Sequence, residues 1–222
     1  MPEIVLHHLE YSRSTRILWL LEELGLDYTI QRYERDANFR ADPALKQVHP
    51  LGKAPVLVVD GLALAESGAI MEYVTAHLAD GRLRPSDPVA LHQFHYWLHF
   101  AEGTLMPTLL MSLVHTKALG AVPFFIKSVA KAVLGAIGKN FSDPEIRKNM
   151  GFLDQTLAQG GPWILGEELT AADMQLCYPA EAGLSRAPRG SSFPAVEDWL
   201  GRIRARPAYQ RALEKGGPTM PG

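Results

Sequence analysis

The chain has 222 residues, 47% of them hydrophobic and 21% charged. This is the composition of a globule with material for a sizeable core, and it excludes disordered and fibrous classes. Twenty-two Lys and Arg against 24 Asp and Glu leave a net charge of −2, so no overall field draws in a polyanion and nucleic acid is not an expected partner.

Residues 3–9 (EIVLHHL) read as a short strand, and Ile17, Leu20, Leu21 and Leu24 then recur at i, i+3, i+4 and i+7, the spacing of a helix. Gly25 stops that helix. In LDYTIQRYE, Tyr28, Ile30 and Arg32 alternate as in a second strand, which gives a βαβ unit with parallel strands. After a polar stretch ending at His49, APVLVVDGLALAES holds two apolar runs about Asp60-Gly61, a strong hairpin signal, and Ile70, Tyr73, Val74 and His77 step at helical spacing. The βαβ-ββα order predicts an α/β, thioredoxin-like domain with a mixed sheet over residues 1–79.

Residues 80–88, DGRLRPSDP, crowd Gly, two Pro and four charged residues together and read as a linker. Residues 89–222 show only helical periods and predict an all-helical domain. Its segments are 89–113, with a kink expected at Pro107, then 143–159, 170–184 and 194–205. Residues 118–138 approach spanning length, but Lys127 and Lys131, four apart and beyond Pro123, predict a soluble amphipathic helix, so no membrane partner is expected.

Several residues have plain structural readings. Ala54 is forced toward extended backbone by Pro55. Ser67 is placed to cap the helix that follows it. Thr170 and Asp173 have the spacing of a capping box, with Asp in place of the usual Glu. Cys177 sits among Met174, Leu176 and Tyr178 as a buried, inert thiol, and as the lone cysteine it makes no intramolecular disulfide. His95 and His99 are one helical turn apart without the open-site context of zinc, so no metal is expected. The opening MPEIVLHHLEYS is too polar and acidic for a signal peptide, so the cytoplasm is the expected compartment.

A βαβ-ββα half joined by a short linker to an all-helical half resembles the cytosolic glutathione transferases. GKAPVLVVDGLALAES, LTAADM at residues 169–174 and FPAVEDW carry the resemblance over nearly the whole chain, and SRSTRILWLLEELGLDY is most similar to the serine-type bacterial and fungal members. The resemblance implies a cis Pro55, with Ala54 lending its N–H and C=O to the cysteinyl backbone of glutathione. It implies that Glu66 faces the γ-glutamyl ammonium, that Ser67 and the helix N–H groups hold its carboxylate, and that Lys53, with Lys46 and His49 behind it, meets the glycyl carboxylate. Glu102 is expected to reach the ammonium across a homodimer interface.

The catalytic group then falls at the first strand–helix turn, where its task is to lower the thiol pKa, because the thiolate is the nucleophile. Ser12 is the leading candidate and Tyr11 its rival, with Ser14 and Arg13 open. Met106, Leu109 and Leu110 mark the region for a hydrophobic electrophile. The resemblance thus implies a homodimeric transferase with glutathione as co-substrate, acting in detoxification. A glutathione-dependent peroxidase or disulfide reductase on the same fold, and a noncatalytic glutathione-binding scaffold, are the alternatives.

Overall fold

A computed structural model describes residues 2–219; Met1 and residues 220–222 of the expected helical domain lie outside the described residues. The first half is a four-stranded sheet of order β2-β1-β3-β4. β1 (Ile4–Leu9) runs parallel to β2 (Thr29–Tyr33) and antiparallel to β3 (Val56–Val59), which pairs antiparallel with β4 (Leu62–Ala65). With α1 (Ser14–Leu24) and α3 (Ser67–His77) this is the expected βαβ-ββα order and mixed sheet, and α2 (Leu45–Val48) adds one turn within the polar connection. The hairpin turns at Asp60 and Gly61, whose φ values of 48° and 84° are both left-handed, as a two-residue turn of this hand requires.

The second half is helical: α4 (Pro88–Phe100), α5 (Met106–Ala121), α6 (Lys127–Ile137), α7 (Asp143–Gly160), α8 (Ala171–Arg186), α9 (Pro194–Arg204) and α10 (Pro207–Gly216). In place of the kink expected at Pro107, the helix carries a π-turn over Ala101–Leu105, which holds Glu102. Pro107 follows that π-turn within a continuous helical run, so its missing N–H leaves one gap in the ladder next to the turn. Residues 118–138 do not form the single helix expected. α5 ends at Ala121, Val122 is extended, and a 3-10 turn, Phe124–Ile126, follows Pro123 before α6 begins.

The periodic residues of α1 understate its burial. Ile17, Leu18, Trp19, Leu20 and Leu21 have no exposed surface, because the sheet covers one side of the helix and α3, α8 and α10 the others. α10, absent from the expected elements, therefore closes the core. Gly216 permits its approach: a Cβ there would fall 2.7 Å from Leu18 and 3.0 Å from the His8 ring.

Charge reinforces the α1–α10 contact. Glu22 accepts from Arg211 at 2.8 Å and also from Lys215 and Tyr28. Burial works against the carboxylate, but these partners outweigh it and hold the Glu22 carboxyl at about 2. A folded-state value below the ordinary 4.5 means that the stabilisation is complete above about pH 4.5 and is lost as pH falls toward 2. With Arg211 and Lys215 half-exposed, it is worth about 1 kcal/mol after allowance for solvent screening. Denaturant midpoints measured across this window are expected to fall for the wild-type chain and to change less for Glu22→Gln.

Candidate functional site

The residue before α1, the loop before β3, the end of β4, the start of α3 and the π-turn after α4 converge on one cleft of about 170 Å³. Its lining includes Lys53, Ala54, Pro55, Glu66 and Ser67, expected around glutathione, and Glu102, expected to act across a dimer; Lys46, expected behind Lys53, is not among the lining residues. Arg13, His49, Leu51 and Ala65 complete the lining. The Ala54–Pro55 peptide bond is cis. Glu66 is exposed, with a left-handed φ of 68°, and precedes the first helical residue, Ser67. Ser67 does not cap α3 through its side chain: its buried Oγ accepts from Gln175 Nε2 of α8 at 3.1 Å.

Glu102 comes from the π-turn of the same chain. It pairs with Arg13 Nε at 3.0 Å and with Arg16 Nη1 at 2.6 Å. Arg16 is buried and lies 5.2 Å from the centre of the Tyr178 ring, and its Nε and Nη2 have no partner among the described residues. Burial would raise the Glu102 carboxyl, but the two guanidinium groups outweigh it and hold the group below the ordinary carboxylate range. Two cations on one carboxylate leave a local charge of +1 beside the cleft.

Ser12 and Tyr11 are not among the cleft-lining residues. Ser12 Oγ is buried and donates to the Leu9 C=O at 2.7 Å, with Ser14 Oγ also at 2.7 Å. Ser14 Oγ meets His8 Nδ1 at 2.8 Å, and His8 Nε2 meets the Gly216 C=O at 2.8 Å. A carbonyl only accepts, so Nε2 carries the hydrogen, and burial pushes the imidazole below its ordinary value and keeps it neutral. Nδ1 is then an acceptor, and the Ser14 hydroxyl donates to it. The Ser12 and Ser14 hydroxyls thus point inward, Ser14 onto His8 and Ser12 onto Leu9 and Ser14. Tyr11, at φ 48°, stacks its ring on Phe39 and gives its C=O to Arg35.

Met106, Leu109 and Leu110 do not form one surface. Leu109 is core, Met106 is half-buried against it and Leu110 is exposed. Next to the cleft is a hollow of about 330 Å³ that shares Glu66, Ser67 and Glu102 with it and adds Gly68, Ala69, Glu72, Leu98, His99, Gly103 and Gln175. Cys177 is a buried free cysteine whose thiol burial pushes far above its ordinary value. His95 pairs with Glu72 at 3.0 Å, and among the described residues no group of three or more His, Cys, Asp or Glu is placed to hold a metal ion.

Sequence reasoning had no signal for Leu51 and Ala65 in the lining, nor for the His8–Gly216 contact, whose partners are 208 residues apart.

Comparison with known proteins agrees with this architecture. Residues 1–76 match the glutathione S-transferase N-terminal domain family and residues 125–216 the glutathione S-transferase C-terminal domain family. The chain is 34% identical to glutathione S-transferase 1 of Saccharomyces cerevisiae, over 97% of this chain and 96% of that protein. It is 36% identical to glutathione S-transferase 3 of Schizosaccharomyces pombe, over 96% and 87%. A crystal structure of a glutathione S-transferase from Actinobacillus pleuropneumoniae superimposes with a TM-score of 0.76 at 34% identity, covering 96% of this chain and 92% of that one. The chain belongs to the glutathione S-transferase family.

Proposed function

We propose that the chain binds glutathione in the cleft between the loop before β3 and the start of α3, and activates its thiol for attack on a hydrophobic electrophile. The observation that carries this reading is the convergence of Lys53, Ala54, Pro55, Glu66, Ser67 and Glu102 on one cleft beside the N-terminus of α1. The α3 N–H groups and the Ser67 hydroxyl suit an α-carboxylate, Glu66 suits the ammonium beside it, and Lys53 and His49 suit the glycyl carboxylate. The backbone of Ala54 pairs with the cysteinyl residue as an added strand would. In this reading residues 1–79 supply the glutathione site, residues 80–88 link it to the helical domain, and the neighbouring hollow, with Leu98, takes the electrophile. The protein acts as a cytoplasmic homodimer in detoxification, in keeping with the family.

Thiol activation falls to the charge at the cleft. Arg13 lines it, the Arg13–Glu102–Arg16 cluster carries a local +1, and the positive end of α1 is adjacent. Each unit by which such a field lowers the thiol pKa is worth about 1.4 kcal/mol of selective thiolate stabilisation. Ser12 has its one proton engaged between Leu9 and Ser14 and reaches the sulfur only by giving up that contact, so its part is to hold the turn. Arg13→Gln is therefore expected to lower conjugation of an activated aryl halide by about tenfold to hundredfold, with the pH profile moved to higher pH. Ser12→Ala is expected to cost about 1 kcal/mol of stability while keeping most turnover. The opposite split would move thiol activation to the Ser12 hydroxyl, and glutathione binding without conjugation in the wild-type chain would mark a scaffold.

A further inference from the structure

The hairpin of α5 and α6 carries an apolar surface that the proposed chemistry does not use. None of residues 110–141 is buried, although they span two helices and the turn between them. Phe124 is 89% exposed and Phe125 74%, their rings packed edge to face on each other at the tip, with Ile126 beside them. Leu110, Met111, Val114, Val129, Val133 and Phe141 extend the exposed apolar surface down the hairpin. Large apolar side chains left to water in such number on one hairpin mark an interaction surface.

Charge identifies the partner's sign. From Gly103 to Ser142 the chain has no Asp or Glu, but it has Lys117, Lys127, Lys131 and Lys139, all exposed. On α6 Lys127 and Lys131 stand one turn apart, on the side of the helix opposite Val129 and Val133, so the cations flank the apolar surface and an anionic surface meeting the tip complements them. Position identifies the partner's form. Lys127 follows Ile126 directly, and Lys117 stands four residues before the end of α5, about 6 Å behind it along the helix. End-on contact puts the Phe pair deepest and two cations just above it, matching an acyl region beneath anionic headgroups. No described helix is long and apolar enough to cross a membrane, so the contact is with its surface.

We propose that the α5–α6 hairpin tip docks this protein on anionic lipid membranes, with Phe124 and Phe125 entering the interface and Lys117 and Lys127 meeting the headgroups. This does not depend on the glutathione reading, because the tip residues are outside the cleft. The test is co-sedimentation of the full-length chain with phosphatidylcholine vesicles, with and without phosphatidylserine. Binding is expected only to the vesicles with phosphatidylserine and is expected to weaken as salt rises. Phe124→Ser/Phe125→Ser is expected to lower partitioning by about tenfold or more, and Lys117→Glu/Lys127→Glu by a similar factor. These side chains are already exposed, so thermal melting and aryl halide conjugation should stay as in the wild type. Absence of binding to anionic vesicles, equal binding to neutral ones, or unchanged binding by the Phe double variant would each overturn the proposal. If the Phe double variant instead sedimented as a smaller species, and no form bound vesicles, a second copy would be the covering partner.

Discussion

Asp173→Ala is expected to lose about 3–5 kcal/mol of folding stability. Asp173 has no exposed surface and holds two segments together. Oδ1 accepts from the Ile164 N–H at 2.8 Å and from Trp199 Nε1 at 3.0 Å, and Oδ2 accepts from the Thr170 N–H at 3.0 Å and from the Thr170 hydroxyl at 3.2 Å. Removing the carboxylate leaves these buried donors unpaired, at about 1–3 kcal/mol for each that water fails to reach. Against a typical total of about 5–15 kcal/mol, that removes a large share of the stability. Asp173→Asn keeps one acceptor but turns an NH2 group toward donors, and is expected to fall between the wild type and Asp173→Ala. Urea unfolding followed by Trp fluorescence checks both; a loss below about 1 kcal/mol for Asp173→Ala would mean that water replaces the carboxylate.

At the cleft, Glu66→Gln is expected to weaken glutathione binding by about one to two orders of magnitude. The substitution removes the charge proposed to face the γ-glutamyl ammonium while keeping the side-chain shape on an exposed residue. Charge-assisted hydrogen bonds of this type are worth about 1.5–3 kcal/mol, which sets the range. Ser67→Ala is expected to weaken binding to a similar degree, but it also strips Gln175 Nε2 of its acceptor, so a stability loss of about 1 kcal/mol accompanies it. The α3 N–H groups survive both changes, so weakening and not abolition is expected, and saturating glutathione restores turnover in each. Equal affinity in wild type and Glu66→Gln would remove Glu66 from the site.

The elements that were legible in the sequence are those whose signal is local. The Asp60-Gly61 turn, the Ile17-to-Leu24 period and the Thr170–Asp173 capping box each depend on residues within a few positions of one another, and each is formed. The mixed sheet followed by helices was likewise predictable from element order alone. What was not legible depends on distant partners. The direction of the Ser12 hydroxyl is set by Leu9 and Ser14, and through Ser14 by His8 and the C-terminal Gly216. Helical spacing placed Met106, Leu109 and Leu110 close together but could not tell that α8 packs on α5 and leaves one of them in the core, one half-covered and one in water. Pro123 was visible as a blemish in an apolar run, yet only the structure shows that it divides the run into two helices with a free tip.

The central claim is that the cleft at Glu66 and Ser67 is where glutathione binds. The most direct measurement is a titration of the isotopically labelled full-length chain with glutathione, followed through the backbone amide resonances. The predicted result is saturable shifts concentrated at Arg13, Lys53, Ala54, Glu66 and Ser67, reduced in proportion to affinity in Glu66→Gln. Saturable shifts that leave these amides unmoved and cluster elsewhere, or no saturation at millimolar glutathione, would contradict it.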